Sequence, residues 1–238
     1  MSPRFATTRW SLVAHAAADD SRGRRALGEL CDLYWRPLYA FLRRSGSSEQ
    51  DAEDTVQGFL ADLLARGDVA RADRGRGRFR TFLLAALKNY ASKQRDRDAA
   101  LKRGGGVATF RLDPDAVAGA EAAYRHEPSD DRTPEEVFER QWALTLLDGV
   151  LTELAAKYES EGRGEWFAAL RPTLTGGGAQ PYAELAATLG STPGAIKTAV
   201  SRLRREYRDR LDAALCDGAL SDDEIADERR ALLNALAR

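Results

Sequence analysis

Cysteine and histidine are scarce: the 238-residue chain holds two of each, Cys31 and Cys216, His15 and His126. Neither histidine lies near a cysteine cluster, so no zinc site is expected. Each cysteine sits among apolar residues at helical spacing, which predicts buried thiols rather than a disulfide. No run of about 18 apolar residues is present, and no secretory or transit segment precedes the first periodic stretch. A cytoplasmic protein without a membrane span is the expectation, and the sparse cysteines agree. The apolar–polar alternation of strands never lasts long. The glycines Gly75 and Gly77 form neither GxGxxG nor a phosphate-cradling loop. With no nucleophile–base triad or metal spacing, no enzymatic activity, cofactor or metal is expected. Excess charge of one sign is missing too, with 36 Lys and Arg against 37 Asp and Glu.

That balance hides blocks of opposite sign, and helical periodicity runs through nearly all of them. The expected fold class is all-α, with two helical domains joined by an acidic linker. A short helix is predicted near Trp10, then a long one from Ser21 to Arg44, kinked by Pro37. Ser47 and Gln50 read as a capping box for the next helix. There Ala52, Val56, Phe59, Leu60 and Leu63 form the core face. Asp51, Glu53, Asp54, Gln57 and Asp62 stay outside, either as solvated surface or as a docking face for a basic partner.

The sign then reverses. A glycine-rich loop and helix carry Arg74, Arg76, Arg78, Arg80, Lys88 and Lys93, interleaved with Asn89 and Tyr90. Such a mix suits phosphate contacts combined with stacking and hydrogen bonding to unpaired bases. Residues 106–133 have poor periodicity and an acidic cast, and read as the linker. A helix is predicted to restart at Thr133, with a break near Gly162. After Leu211 the tail turns acidic, with a capping box at Ser221 and Glu224 and one more amphipathic helix.

The stretch PYAELAATLGSTPGAIKTAVSRLRREYRDRL, residues 181–211, reads as two helices around a turn of about three residues. Gly190 permits the left-handed stop, Thr192 caps the second helix and Pro193 opens it. Ile196, Val200, Leu203 and Tyr207 form its inner face. Lys197, Thr198, Ser201, Arg202, Arg204, Arg205 and Arg208 form the outer one. This is a helix-turn-helix pattern whose second helix suits a major groove. An ordinary helical hairpin with a solvated basic face has the same pattern.

Three segments in this order, DAEDTVQGFLADLL at 51–64, RGRFRTFLLAALKNYASKQRDRD at 76–98 and YAELAATLGSTPGAIKTAVSRLRREY at 182–207, resemble the extracytoplasmic-function sigma factors of bacterial RNA polymerase. The resemblance covers most of residues 22–211. It implies a region 2-like domain at 1–105, a region 4-like domain at 134–212 and an extra acidic element at 213–238. It implies core RNA polymerase (clamp helices and flap) and promoter DNA as partners, with an anti-sigma factor or a kinase acting at Thr55 as candidate regulators. By the same resemblance, Asp51, Glu53, Asp54 and Gln57 would bind core polymerase. Arg74, Arg76, Arg78, Arg80, Lys88, Asn89 and Lys93 would meet the −10 element, Asn89 as the base reader. Lys197, Thr198, Ser201, Arg202, Arg204 and Arg205 would meet the −35 element. The runner-up is a helix-turn-helix regulator that binds DNA without acting as sigma. The C-terminal helix is expected to cap region 4; the alternative is that it folds back on a basic DNA-binding face.

Overall fold

The computed structural model describes residues 21–66, 78–100, 114–125, 131–175, 180–215 and 222–237. Among them every regular element is helical. In chain order these are α1 (Ser21–Arg44), α2 (Glu49–Arg66), α3 (Phe79–Ala100), α4 (Pro114–Arg125), α5 (Pro134–Ser160), α6 (Gly164–Leu170), α7 (Pro172–Thr175), α8 (Tyr182–Thr188), α9 (Pro193–Leu215) and α10 (Asp222–Ala237). None of these helices is long and apolar enough to cross a membrane. The chain divides into two compact units, Met1–Thr145 with Leu215–Arg238, and Leu146–Ala214. The predicted helix near Trp10 and the capping residue Ser221 lie outside the described residues.

The first unit is built on α1, whose Leu30, Tyr34, Trp35, Leu38, Tyr39 and Leu42 are buried. Pro37 lies within it, at the expense of one backbone hydrogen bond. The helix stops at Gly46, whose φ of 94° suits a residue without Cβ, and the Ser47 N–H donates back to the Leu42 carbonyl at 3.0 Å. The next cap falls one residue later than the expected Ser47–Gln50 box. The Asp51 N–H donates to Ser48 Oγ at 3.1 Å, and Ser48 Oγ donates to Asp51 Oδ2 at 2.6 Å. Helix α2 then buries Ala52, Val56, Phe59, Leu60 and Leu63, as its periodicity requires. Gly58 lets α3 come close, because a Cβ there would collide with the Tyr90 hydroxyl.

Residues 114–125 correct the expectation of a structureless linker over 106–133. They form α4, which packs against α1. Val117 and Ala120 are buried, and so is Glu121. The Glu121 carboxylate accepts from Tyr39 Oη at 2.5 Å, from Arg43 Nε at 2.9 Å and Nη2 at 3.0 Å, and from Arg125 Nε at 2.9 Å. This acid therefore fastens α4 to α1 instead of lending charge to a solvated tether. The hydrogen bonds from Arg43 outweigh burial and hold its pKa down at about 2.

Helix α5 opens with a reciprocal capping box. Thr133 Oγ1 accepts from the Glu136 N–H at 3.2 Å, and Glu136 Oε2 accepts from the Thr133 N–H at 3.0 Å. Its start, with buried Val137, Phe138, Trp142 and Ala143, belongs to the first unit; from Leu146 it belongs to the second. The domain boundary thus falls inside a helix, twelve residues later than the cap at Thr133 had implied. Helix α10 also belongs to the first unit, which overturns the expectation that it caps the region 4-like domain. It buries Leu232 and Glu228 and leaves Leu233 63% exposed.

The second unit has one core, made by Val150, Leu151, Leu154 and Tyr158 of α5, Phe167 and Leu170 of α6, Leu185 and Ala186 of α8, and Ile196, Val200 and Leu203 of α9. Gly162 (φ 68°) ends α5 and Gly190 (φ 58°) ends α8. Ser191 N–H donates to the Ala186 carbonyl at 2.8 Å, closing the turn, and Thr192 Oγ1 accepts from the Ala195 N–H at 3.3 Å to cap α9.

Two outcomes are expected. Gly190→Ala and Thr192→Ala should each lower stability by about 1 kcal/mol in chemical denaturation, one by forcing a Cβ into the left-handed region and the other by removing a cap. Glu121→Ala should cost about 3 kcal/mol, since it leaves the buried Tyr39 hydroxyl without its acceptor and part-buried Arg43 without its carboxylate. Because the folded pKa of Glu121 is depressed, its stabilisation is complete above the ordinary 4.5 and fades as pH falls toward 2. Glu121→Gln should therefore flatten the acid limb of a stability–pH profile; an unaltered limb would remove this assignment.

Candidate nucleic-acid interface

On α9 the seven outer residues fall within an arc of about 160° at 100° per residue. Lys197, Thr198, Ser201, Arg202, Arg204, Arg205 and Arg208 are all exposed. Ile196, Val200 and Leu203 occupy the opposite side and are fully buried. The face is not uniform. Arg204 Nη2 donates to the Thr173 carbonyl at 3.0 Å, so Arg204 braces α7 against α9. Arg202 Nε donates to Glu206 Oε1 at 3.2 Å, and Lys157 Nζ donates to Glu206 Oε2 at 2.7 Å. Thr198 Oγ1 donates to the Gly194 carbonyl at 3.1 Å. Among the described residues, Lys197, Arg205 and Arg208 carry no ion pair. The surface thus offers a row of exposed cations over a buried apolar base, which suits a polyanion.

On α2, Asp51 and Asp54 are exposed while Glu53 and Gln57 are partly covered. All four lie within an arc of about 160°. Gln57 Nε2 donates to Glu53 Oε1 at 2.9 Å. Among the described residues no lysine or arginine pairs with Asp51, Glu53 or Asp54, so the face keeps its negative charge.

The third predicted set is arranged differently from expectation. Arg74 and Arg76 lie outside the described residues. Arg80 was expected at a phosphate; the structure places it in the interior, with 1% of its side chain exposed. Its Nε donates to Glu139 Oε2 at 2.8 Å and its Nη1 to Glu228 Oε2 at 3.4 Å, and its guanidinium lies 4.0 Å from the Trp142 ring centroid. Arg80 shares the phase of Leu83, Leu84 and Leu87, so the helix turns it into the core. Arg78 Nε donates to Glu228 Oε1 at 2.8 Å. Lys88 Nζ donates to Glu135 Oε1 at 2.6 Å and lies 5.3 Å from the Phe41 ring centroid. The hydrogen bond from Lys88 lowers the pKa of Glu135. Asn89 and Lys93, one turn apart, are exposed.

Three cations of α3 and its lead-in are thus matched by three carboxylates, Glu135 and Glu139 of α5 and Glu228 of α10. Burial raises the pKa of Glu228 in spite of Arg80 and Arg78 beside it. Burial, then repulsion from Arg80, lowers that of Arg78. Glu228 and Glu139 are partners of these cations that the sequence reading did not single out. Glu228 shares the phase of Ile225 and Leu232, and that was the available signal. Cys31 is buried as expected, its thiol pushed up to about 12 by burial first and Asp32 second; Cys216 lies outside the described residues.

No family model, curated protein or solved structure matches the chain.

The bracing role of Arg204 separates it from its neighbour. Arg204→Ala should cost about 1 kcal/mol through the orphaned Thr173 carbonyl. Arg205→Ala should stay within about 0.5 kcal/mol of the parent. Thermal unfolding followed by circular dichroism would reveal the difference, and equal melting temperatures would refute it.

Proposed function

We propose that the chain is an alternative sigma factor of the extracytoplasmic-function type. It binds core RNA polymerase, recognises −10 and −35 promoter elements and promotes DNA melting in the cytoplasm. The observation that carries the reading is the exposed basic row of α9 over its buried Ile196–Val200–Leu203 base, preceded by the tight turn at Gly190. Support also comes from the uncompensated acidic face of α2.

In this reading α9 enters the major groove of the −35 element, which is wide enough for one helix. Lys197, Thr198, Ser201 and Arg202 face base edges. A bidentate Arg202–guanine contact discriminates by about 1–3 kcal/mol. The Arg202–Glu206 pair is exposed and therefore cheap to exchange for it. Arg205 and Arg208 grip phosphates, which sets register without reading sequence. Asp51, Glu53, Asp54 and Gln57 dock on the basic clamp helices of the polymerase, and its flap supports the region 4-like unit. Asn89 and Lys93 meet the opened −10 strand, where a flipped base costs a few kcal/mol to unstack. This chain performs no bond chemistry. Two weak DNA contacts held by one enzyme multiply through effective concentration.

The test is retention of the protein on purified core RNA polymerase, beside an Asp51/Asp54→Arg double variant. The parent should bind and the variant should lose about tenfold or more in affinity, since like charges would then face each other. A parent that binds duplex DNA but never core polymerase would overturn the reading in favour of a regulator that works through α9 alone.

A further inference from the structure

We propose that Glu206 is a specificity-determining residue of the α9 face: it withholds Arg202 from DNA phosphates and yields it to a base edge. This rests on the reading of α9 as the helix that enters a DNA groove.

The exposed cations of α9 are not equivalent. Among the described residues Lys197, Arg205 and Arg208 carry no ion pair, and Arg204 is engaged by the Thr173 carbonyl. Arg202 differs from them in facing a carboxylate: its Nε donates to Glu206 Oε1 at 3.2 Å, one helical turn on, and the bond is exposed. Glu206 is also reached from another helix. Lys157 Nζ of α5 donates to its Oε2 at 2.7 Å, and this bond is part-buried. Lys157 has a fixed base, since Leu154 and Tyr158 beside it belong to the core of the second unit. Burial pushes the Glu206 carboxyl up, but the hydrogen bonds from Lys157 and then Arg202 outweigh it and hold its pKa below the ordinary value. The group is therefore charged when the protein meets DNA. Its two oxygens have unequal partners, an exposed one that can leave and a part-buried one that stays.

What Arg202 leaves for follows from the size of each contact. An exposed arginine–phosphate contact is an ion pair of the same kind as Arg202–Glu206, so the exchange gains little. The carboxylate also stays beside the backbone and repels the phosphate. A paired arginine adds no net positive charge to the face, and so releases almost no counterions. A guanine edge offers the guanidinium two directed acceptors, O6 and N7, in place of the single bond at Nε. Glu206 thus weakens sequence-independent binding more than it weakens base readout. Without it, Arg202 would join Arg205 and Arg208 on the phosphates.

The test uses the full chain and its Glu206→Gln, Arg202→Gln and double variants, each checked by circular dichroism. A randomised duplex pool is first selected on the parent. The selected duplex and a mixed-sequence duplex, both fluorescein-labelled, are then titrated over a series of salt concentrations. Glu206→Gln keeps the shape of the side chain and removes its charge. On the mixed-sequence duplex it should bind about fivefold tighter at low salt, with a salt slope steeper by about 0.9, the increment for one phosphate contact on B-DNA. Its preference for the selected duplex over the mixed one should fall about threefold, because sequence-independent binding gains more. In the Arg202→Gln background the gain should vanish. A gain that persists there would make Glu206 a matter of net charge alone and overturn the proposal. Equal preference in parent and Glu206→Gln, or a parent pool without enrichment, would overturn it too. If Glu206→Gln fails to fold, Lys157→Gln approaches the carboxylate from the other side. Arg202 then leaves Glu206 without a partner, and affinity for the selected duplex should drop about threefold; an undiminished affinity would sink the proposal. A parent that binds no duplex at any salt removes the DNA-facing reading of α9, and the proposal with it. Loss of core polymerase binding alone removes the sigma assignment and leaves the role of Glu206 standing.

Discussion

A buried guanidinium has to be answered, and Arg80 is where the first unit answers it. Its charge sits with 1% of the side chain exposed, so desolvation has to be offset by partners within reach. Glu139 and Glu228 supply charge, and the Trp142 ring supplies a face for the cation. These partners come from α5 and α10, far apart in sequence. Arg80 thus ties α3 to the start of α5 and to α10. Without Glu228 the guanidinium would keep only the part-exposed Glu139 and the Trp142 ring. The same logic at smaller scale governs Glu121, which joins α4 to α1 by gathering Tyr39, Arg43 and Arg125.

What could be read from the sequence follows from this. Long amphipathic helices were legible: α1, α2 and α9 fall about where periodicity puts them, and Gly190 takes the left-handed turn expected of it. The outer row of α9 was legible because its cations stand out of phase with Ile196, Val200 and Leu203. Buried charge was not legible, because arginine and glutamate are read as surface by default. Arg80, Glu121 and Glu228 each lie in phase with apolar neighbours, at Leu83–Leu84–Leu87, Val117–Ala120 and Ile225–Leu232. An ionic residue on an apolar stripe is a signal for an internal partner, and each of these three has one. The segment 106–133 looked like a linker because α4 is short and partly held by Glu121 rather than by an apolar stripe. The cap at Ser48 instead of Ser47 shows a different limit, since two adjacent serines satisfy the same pattern.

A further consequence concerns the two basic regions, which differ in electrostatic state although their compositions are alike. On α9, Lys197, Arg205 and Arg208 have no ion partner among the described residues, and Arg202 is paired only by an exposed neighbour. At α3, Arg78, Arg80 and Lys88 each face a carboxylate from another helix. The near-zero net charge of the chain is thus not an average of independent blocks. Part of it is internal neutralisation, local to the first unit.

The character of the α10 contact decides what it can do. Glu228 is held with its pKa raised by burial, and Arg78 with its own lowered by burial. Both shifts run against the charged forms, by burial on each partner and by repulsion from Arg80 on Arg78. Such a contact selects a register for the helix more than it binds the helix in place. Leu232 is one buried leucine, worth about 1.5–3 kcal/mol of transfer free energy. Helix α10 is thus set in register through a buried ion pair, whereas α4 is fastened by a carboxylate whose hydrogen bonds hold it well below its ordinary pKa.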